Sequence, residues 1–594
     1  MATIKISTVR KILSIITIPE RNGAVILLGL MFVSMALEMI GVGLVIPMIN
    51  VISAPDTFSS NSYMQGVIQF LEIESHESLI VIVVLGFVSV YIIKNLFLGF
   101  FSWYKIRYIS NLRMNISNRL FKLYLHQPYT FHLQRNSGQL IQNISIEVTI
   151  FTGRLLNPLM SLCTEGLVLL GIALVLVIVE PIGALIVIVV LGAAGGSIHY
   201  FTRKHVARWG RERQYHEGKR LQRLQEGLGG VKDALFLGRE LNFLEQYEYH
   251  NASSNLPERY QSTLQEIPRL WFELLAVTGL SIIILVMVAQ GREMSMVFAT
   301  LGVFAAAAFR LMPSVTRSLA AIQSLRYSMP VLETLHDEFQ LASLKQESLR
   351  ERKPMLKVPP FNDSLTFKDV SFTYQGSLKP SIHNLSLSIK RGDSIGVIGS
   401  SGAGKSTLVD TLLGLLEPDN GEVLVDGINI QENLRAWQDQ IGYVPQSIYL
   451  VDDTLRNNVA FGIPNEEINE ALIVKAIQSA QLEDFIESLP DGLDTIVGER
   501  GVRLSGGQRQ RIGIARALYY EPEILVLDEA TSSLDNETET EVMRTVQSLH
   551  RNKTIIIVAH RLTTVEKCDR LYRLKHGSVI DEGVPDKILV NGNN

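Results

Sequence analysis

The first 330 residues alternate long apolar runs with strongly basic segments. Apolar stretches near 24–50, 79–103, 149–179, 181–201, 266–290 and 296–325 each approach or exceed the roughly 20 residues that a membrane-spanning helix needs. Six spans are therefore expected. The third and fourth are almost continuous, and Glu180-Pro181 parts them. A charge followed by a residue that cannot continue the preceding helix leaves room only for a tight turn. Segment 104–148 carries Lys105, Arg107, Arg113, Arg119, Lys122 and Arg135, segment 202–262 is equally basic, and 51–78 has no Lys or Arg. This bias puts both basic segments, and both ends of the membrane half, in the cytoplasm. Both are rich in helix formers, so they are expected to prolong the spans far into the cytoplasm, with most of their cations on solvated faces. Two shorter amphipathic patterns flank the first span. One is a helix over 7–23. The other is 62–73, where Met64, Val67, Ile68 and Leu71 recur at helical spacing; this fits a short helix on the outer leaflet or a folded cap on the loop.

The pattern changes after "RKPMLKVPPFNDSLT" (352–366), a polar, proline-containing stretch of the kind found at domain boundaries. Residues 361–594 read as a soluble α/β domain, giving a membrane domain over 1–330, a linker over 331–360 and a second domain over 361–594. Composition adds exclusions. A formal net charge of −4 gives no overall basic character to suggest nucleic acid. Two cysteines, Cys163 and Cys568, exclude a disulfide framework and a Cys-rich metal site. No cleavable signal is expected at the N-terminus, because the first apolar run is too long for a signal core.

The chemistry lies in the second domain. "GVIGSSGAGKST" (396–407) has the phosphate-loop spacing Gly399-x4-Gly404-Lys405-Ser406 between an apolar strand and a helix. Glycines let the backbone from Gly399 through Ser400, Ser401, Gly402, Ala403 and Gly404 turn its N–H groups inward around phosphates. Lys405 can then reach the β- and γ-phosphates, and the Ser406 hydroxyl, beside Thr407, can ligate Mg2+. In "EILVLDEATSSLD" (523–535) an apolar strand ends in Asp528, suited to the Mg2+ shell, and Glu529, suited to polarise an attacking water as general base. These residues point to ATP binding and hydrolysis.

"LSGGQRQR" (504–511) is similar to the signature of ATP-binding-cassette (ABC) ATPases, and the family's other motifs stand around it. By that resemblance Tyr374 stacks on adenine. Gln446 of "YVPQS" senses Mg2+, mostly through water as Asp528 does, and contacts the membrane domain. Asp535 of "SSLD" belongs to the loop across the subunit interface, His560 of "IIIVAHRL" contacts the γ-phosphate, and Glu499 of "GERG" touches the intracellular loops. The signature segment Ser505, Gly506, Gly507 and Gln508 presents a hydroxyl, N–H groups and a helix N-terminus to a γ-phosphate on the opposite subunit. One chain holds one phosphate loop and one signature, so the resemblance implies a homodimer with two composite sites. It also implies a fold class: an all-α six-helix transmembrane domain of the type IV ABC exporter fold, followed by an α/β P-loop nucleotide-binding domain. Short cross-helices near 125–138 and 226–240 would transmit ATP-driven closure beside Gln446 and Glu499.

Ionisable residues inside the membrane half are functional candidates: Glu38, Lys94, Arg154, Glu165, Arg269, Glu273, Arg310 and Arg317. Glu38 and Glu165 are expected as partners of Arg154. At ~1.5 Å per residue, Arg269, Arg310 and Arg317 lie about 34, 27 and 38 Å below the turn between spans 5 and 6, and Lys94 about 24 Å below the outer end of span 2. All four fall toward the cytoplasmic side, and Arg310 and Arg317, seven apart, share a helix face. Such a basic ring suits phosphate oxygens. "EMIGVGLVIPMI" (38–49), "EIPRLWFE" (266–273) and "FRLMPSVTR" (309–317) resemble segments of the PglK-type lipid-linked oligosaccharide flippases of bacterial N-glycosylation. That resemblance implies a polyprenyl-pyrophosphate-linked glycan as substrate, held by Arg269, Arg310, Arg317 and Lys94, where the family has an arginine. It also implies a location in the bacterial inner membrane with the ATPase domain cytoplasmic. Export of lipid A, a drug or a peptide is the alternative.

Overall fold

The computed structural model describes residues 6–44, 48, 76–179, 181–290, 294–350, 361–498, 501–531, 536–559 and 561–590. It divides into two units. One holds residues 1–127 and 134–347; the other holds 348–594 together with the hexapeptide 128–133.

The described residues of the first unit form helices and the short turns that join them, with no strand among them. A short amphipathic helix α1 (Ile6–Ile15) precedes α2 (Ile18–Gly43). Then come α3 (His76–Leu125), α4 (Tyr129–Gln134), assigned with the other unit, and α5 (Ser137–Gln142). Beyond α5 the chain passes through two π-helical turns, Asn143–Glu147 and Phe151–Leu156, into α6 (Asn157–Val179). The rest is α7 (Pro181–Gly229), α8 (Val231–Leu237), α9 (Glu240–Ala289), α10 (Met294–Tyr327) and α11 (Met329–Arg350). Helix α6 ends at Val179 and α7 restarts at Pro181, the first-turn position where a missing N–H costs nothing. Helices α3, α7 and α9 have 50, 49 and 50 residues. At ~1.5 Å per residue that is about 75 Å, more than twice a bilayer core.

Apolar side chains such as Val25, Ile93, Leu96, Leu170 and Leu285 face outward in the hydrophobic segments, as a lipid environment allows. Leu27, Met31 and Phe101 form a small buried core there. Leu112, Ile116 and Leu120 of α3, Val148 and Phe151 between α5 and α6, Tyr327 at the end of α10, and Val331 and Leu335 of α11 are buried. Helices α7 and α10 cross closely at Gly210, where an added Cβ would stand 2.1 Å from the Tyr327 carbonyl oxygen.

Two expectations need correction or fall outside the description. The first part of the expected linker is not a linker: α11 runs to Arg350, because Val331, Leu332 and Leu335 are buried and the sequence is rich in helix formers. The expected external helix over 62–73 lies outside the described residues. Helix α10 is continuous through Pro313.

The second unit contains two sheets. Strands β1 (Ser364–Phe372), β2 (Ile382–Lys390), β4 (Asn420–Val425) and β5 (Ile428–Asn429) form an antiparallel sheet in the order β2-β1-β4-β5. The larger sheet runs β10-β9-β3-β8-β7-β6. Its strands are β3 (Ser394–Gly399), β6 (Ile441–Val444), β7 (Ile524–Asp528), β8 (Thr554–Val558), β9 (Arg570–Lys575) and β10 (Ser578–Gly583). All pairs are parallel except β9–β10. The parallel strands β3, β7 and β8 are apolar and almost wholly buried, as a sheet covered on both faces requires. Strands β3 and β7 flank β8, so their carboxyl ends, which carry Gly399 and Asp528, open on one edge of the sheet. Ligands bind at that edge in such sheets.

Candidate functional site

The phosphate loop leaves β3 and enters α12 (Lys405–Leu412). Gly404 occupies the cap position at φ +103°, and an added Cβ would lie 2.6 Å from the Ser381 carbonyl oxygen. At Gly399 a Cβ would lie 2.6 Å from the Leu574 carbonyl oxygen. Gly402, at φ +77°, faces open space. The loop is therefore a cradle that only glycine can form at these points. The cleft above it has a volume of about 1010 Å3 and runs from Ser401–Thr407 to Gln446 and Glu529.

Inside the cleft the charged groups are already organised. Lys405 Nζ donates to the carbonyls of Gly399 at 3.0 Å and Ser400 at 3.3 Å, and lies 3.8 Å from Glu529. Gln446 Nε2 donates to Glu529 Oε2 at 2.8 Å. Glu529 sits at φ +50°, a backbone conformation that costs a non-glycine residue energy and collects at functional sites. Burial, and then the charge of Glu529, push the Asp528 carboxyl above its usual range, although the Tyr443 hydroxyl donates to it. Burial, and then Asp528, raise Asp410 to about 6. Asp410, Asp528 and Glu529 are thus linked in series, Asp410 to Asp528 and Asp528 to Glu529, while Ser406 and Glu529 both line the cleft; oxygen donors of this kind are those a hard divalent cation takes. The Tyr374 hydroxyl is 3.3 Å from Thr407 Oγ1, and its ring meets Phe372 edge-on.

Ser505 caps α13 (Gly506–Leu518) through a reciprocal pair: its Oγ accepts from Gln508 N at 3.2 Å, and Gln508 Oε1 accepts from Ser505 N at 2.8 Å. The hydroxyl proton of Ser505 stays available for a ligand. A groove of about 480 Å3 between Gln446–Tyr449 and Gly506–Gln510 runs beside it. Tyr129 of α4 lies within electrostatic reach of Asp410 and Tyr374, and burial raises its phenol. Glu499, Asp535 and His560 lie outside the described residues.

Sequence reading missed Asp410, although its spacing of four from Ser406 puts both on one helical face. It also missed Lys379, His383 and His576, which line the cleft. Lys379 lies in the loop before β2, His383 on β2 and His576 in the turn between β9 and β10; all are distant in sequence from the phosphate loop and carry no local motif.

In the membrane half the expected basic ring changes. Lys94 is buried, its Nζ 3.5 Å from Glu38 and 4.0 Å from the Tyr91 ring centre. A buried ammonium requires such a partner, so Lys94 is part of the packing between α2 and α3, not a free cation facing a ligand. Arg154 pairs with Glu258, not with Glu38 or Glu165. Glu165 instead accepts from Arg317 at 2.5 Å, and the Arg317 side chain remains 48% exposed against 12% for Glu165. Lys105 Nζ donates to Ser161, one turn from Glu165, at 3.3 Å and lies within electrostatic reach of both. Arg269 is exposed on α9 and has no side-chain partner among the described residues. Arg310 lies in α10, with its side chain outside the described residues.

A helical membrane unit, fused to a parallel-sheet unit with a phosphate cradle, an Asp-Glu strand end and a signature helix, defines an ATP-hydrolysing exporter. Residues 25–309 match the ABC transporter transmembrane region family and residues 382–532 the ABC transporter family. The chain belongs to the ABC transporters, as an exporter half-transporter with ATP hydrolysis coupled to transport. It is 30% identical over 492 residues to an ATP-dependent lipid A-core flippase of Vibrio cholerae, covering 82% of each chain. It is 31% identical over 497 residues to one of Thiobacillus denitrificans, covering 83% and 84%. A solved bacterial Atm1-family ABC exporter with ATP bound shares its fold at a TM-score of 0.74 and 22% identity, over 96% of both chains.

Proposed function

We propose that this exporter uses ATP to flip a phosphate-bearing glycolipid from the cytoplasmic to the outer leaflet of a bacterial inner membrane, working as a homodimer. The observation that carries this is the similarity over some four-fifths of the chain to lipid A-core flippases, which favours a lipid A-like substrate. A polyprenyl-pyrophosphate-linked oligosaccharide is the second reading, supported by segments 38–49, 266–273 and 309–317. Both substrates present phosphate at the membrane surface. Arg317, with its exposed guanidinium, and Arg269 and Lys105 are the cations suited to meet it; Arg310, one turn-pair from Arg317 on α10, is a further candidate.

In the ATPase unit, phosphate oxygens entering the cradle compete for Lys405 and draw its ammonium away from Glu529. The freed carboxylate, still held by Gln446, takes a proton from a water whose oxygen attacks the γ-phosphorus. The bond to the β-phosphate oxygen breaks, giving ADP and phosphate. Mg2+, held through Ser406, Asp528 and Gln446, would neutralise charge on the β- and γ-phosphates. Ser505 and the N–H of Gly507 from the second copy complete the site, with Asp535 and His560 as further contacts. Tyr374 stacks on the base, and α4 beside it, with Tyr129 near Asp410, carries the state of the site toward the spans.

The test is flipping in liposomes with either labelled lipid. Arg317→Ala should cut ATP-driven flipping at least tenfold while leaving ATP hydrolysis without lipid in place. Equal flipping by the variant would remove Arg317 from the substrate path.

A further inference from the structure

Helices α5, α7 and α11 enclose a polar cleft of about 470 Å3 in the first unit, apart from the cations of the spans. Its floor is built on a fully buried ion pair. Arg213 Nη2 donates to Glu147 Oε2 at 3.4 Å, with side chains only 4% and 0% exposed. Glu147 Oε1 in turn accepts from buried Gln142 Nε2 at 2.8 Å, and the same amide approaches the Gln214 carbonyl at 3.3 Å. A buried ion pair brings little net stability, and its better-attested use is to fix geometry. Here it orients the Gln142 amide. Gly218 leaves the space: an added Cβ would stand 2.6 Å from Gln142 Oε1.

The walls carry amides and cations. Asn136, Gln139, Asn143, Gln214 and Gln222 contribute carboxamides, Arg211 and Lys219 charge, and no carboxylate is among the described lining residues; Asn143 Nδ2 donates to the Tyr124 hydroxyl at 3.0 Å and Gln222 Nε2 to Glu226, outside the lining, at 2.8 Å. Gln214 is fixed by Thr334 at 3.0 Å and Lys219 by Gln222 at 3.1 Å. Gln139, Arg211 and Tyr215 are exposed and make no side-chain hydrogen bond among the described residues. Carboxamides donate and accept at once, which matches the paired hydroxyls of a sugar ring. The open ring of Tyr215 offers a flat apolar face to sugar C–H groups, and the two cations suit phosphate or carboxylate substituents. The volume falls within the roughly 300–1,000 Å3 of small-molecule sites. At ~1.5 Å per residue, positions 211–222 lie about 15–32 Å beyond the expected end of the fourth span at 201, within reach of a head group of several sugars.

We propose that this cleft binds the carbohydrate of the transported glycolipid while the lipid still faces the cytoplasm. This rests on the glycolipid reading above. The test uses the full-length protein in nanodiscs and three probes: intact lipid A-core, the lipid-free core oligosaccharide released from it, and lipid A lacking the core. The core oligosaccharide should bind the wild type and compete with the intact lipid. A Gln139→Ala/Arg211→Ala variant, changed only at exposed positions, should bind it about tenfold more weakly, as loss of two hydrogen bonds implies, with thermal unfolding unchanged. Gly218→Val, which fills the cleft, should abolish that binding, and lipid A lacking the core should bind all three proteins equally. Three results would overturn the proposal: no oligosaccharide binding to the wild type, equal binding to wild type and the double variant, or oligosaccharide binding without competition, which would mark a site for soluble sugars. If lipid A lacking the core fails to bind the wild type, the phosphate-lipid reading fails instead, and the oligosaccharide arm still decides the cleft.

Discussion

At the scale of single residues, the ATP site rests on Glu529 in a left-handed conformation, held by Gln446 and Lys405. Glu529→Gln keeps the shape and removes the base. Hydrolysis should fall at least a hundredfold, the range for a general base, with nucleotide affinity preserved in equilibrium binding; hydrolysis within a few-fold of wild type would reassign the base. A second residue tests stability. Asp426 accepts from the N–H groups of Asn362, Asp363 and Ser364 at 2.8, 3.0 and 2.8 Å. Burial alone would raise its carboxyl, but these donors outweigh it and hold the carboxyl below 3.8. A depressed carboxyl adds stability above its unfolded value of 3.8 and loses it as pH falls through the lowered folded value. Asp426→Ala should destabilise the start of β1 by about 1–3 kcal/mol at neutral pH. The gap from wild type should close below pH 3.8 in hydrogen exchange over 361–372. The motif residues of the ATP site were legible because glycine freedom, a strand-end carboxylate and a capping serine each leave a local mark. Asp410 and the partners of Lys94, Arg154 and Arg317 were not: a pairing across helices is a tertiary fact, and depth along a span says nothing about which carboxylate lies opposite.

At the scale of elements, the hydrophobic pattern marked the long helices α2, α3, α6, α7, α9 and α10. The two π-helical turns between 143 and 156 left no such signal, because inserting a residue into a helical turn does not interrupt the apolar pattern. The helix over Met329–Arg350 was hidden by polarity that resembles a linker, although its buried face is short but real. Two substitutions test the packing. Gly210→Ala adds a Cβ 2.1 Å from the Tyr327 carbonyl oxygen. Overpacking of about 1–3 kcal/mol should exceed the roughly 1 kcal/mol gained in helix propensity, so the thermal midpoint should fall. Glu38→Ala leaves Lys94 buried beside a lost carboxylate and should cost about 3 kcal/mol, whereas the Glu38→Ala/Lys94→Ala pair should recover much of that loss in the same melt. No recovery would mean that the ion pair is not what holds α2 against α3 there.

At the scale of the molecule, one phosphate loop and one signature per chain fit the proposed homodimer, in which each ATP site would be the product of two copies and the membrane half would supply the path for the lipid. The central claim is that ATP hydrolysis moves a phosphate-bearing glycolipid across the bilayer. Its most direct measurement places the purified protein in liposomes with labelled lipid A-core, adds ATP, and follows the label's accessibility to an outside quencher, with Glu529→Gln in parallel. The account predicts ATP-dependent movement of the glycolipid by the wild type and none by Glu529→Gln. Movement that proceeds equally without ATP, or vigorous hydrolysis with the glycolipid stationary, would contradict it.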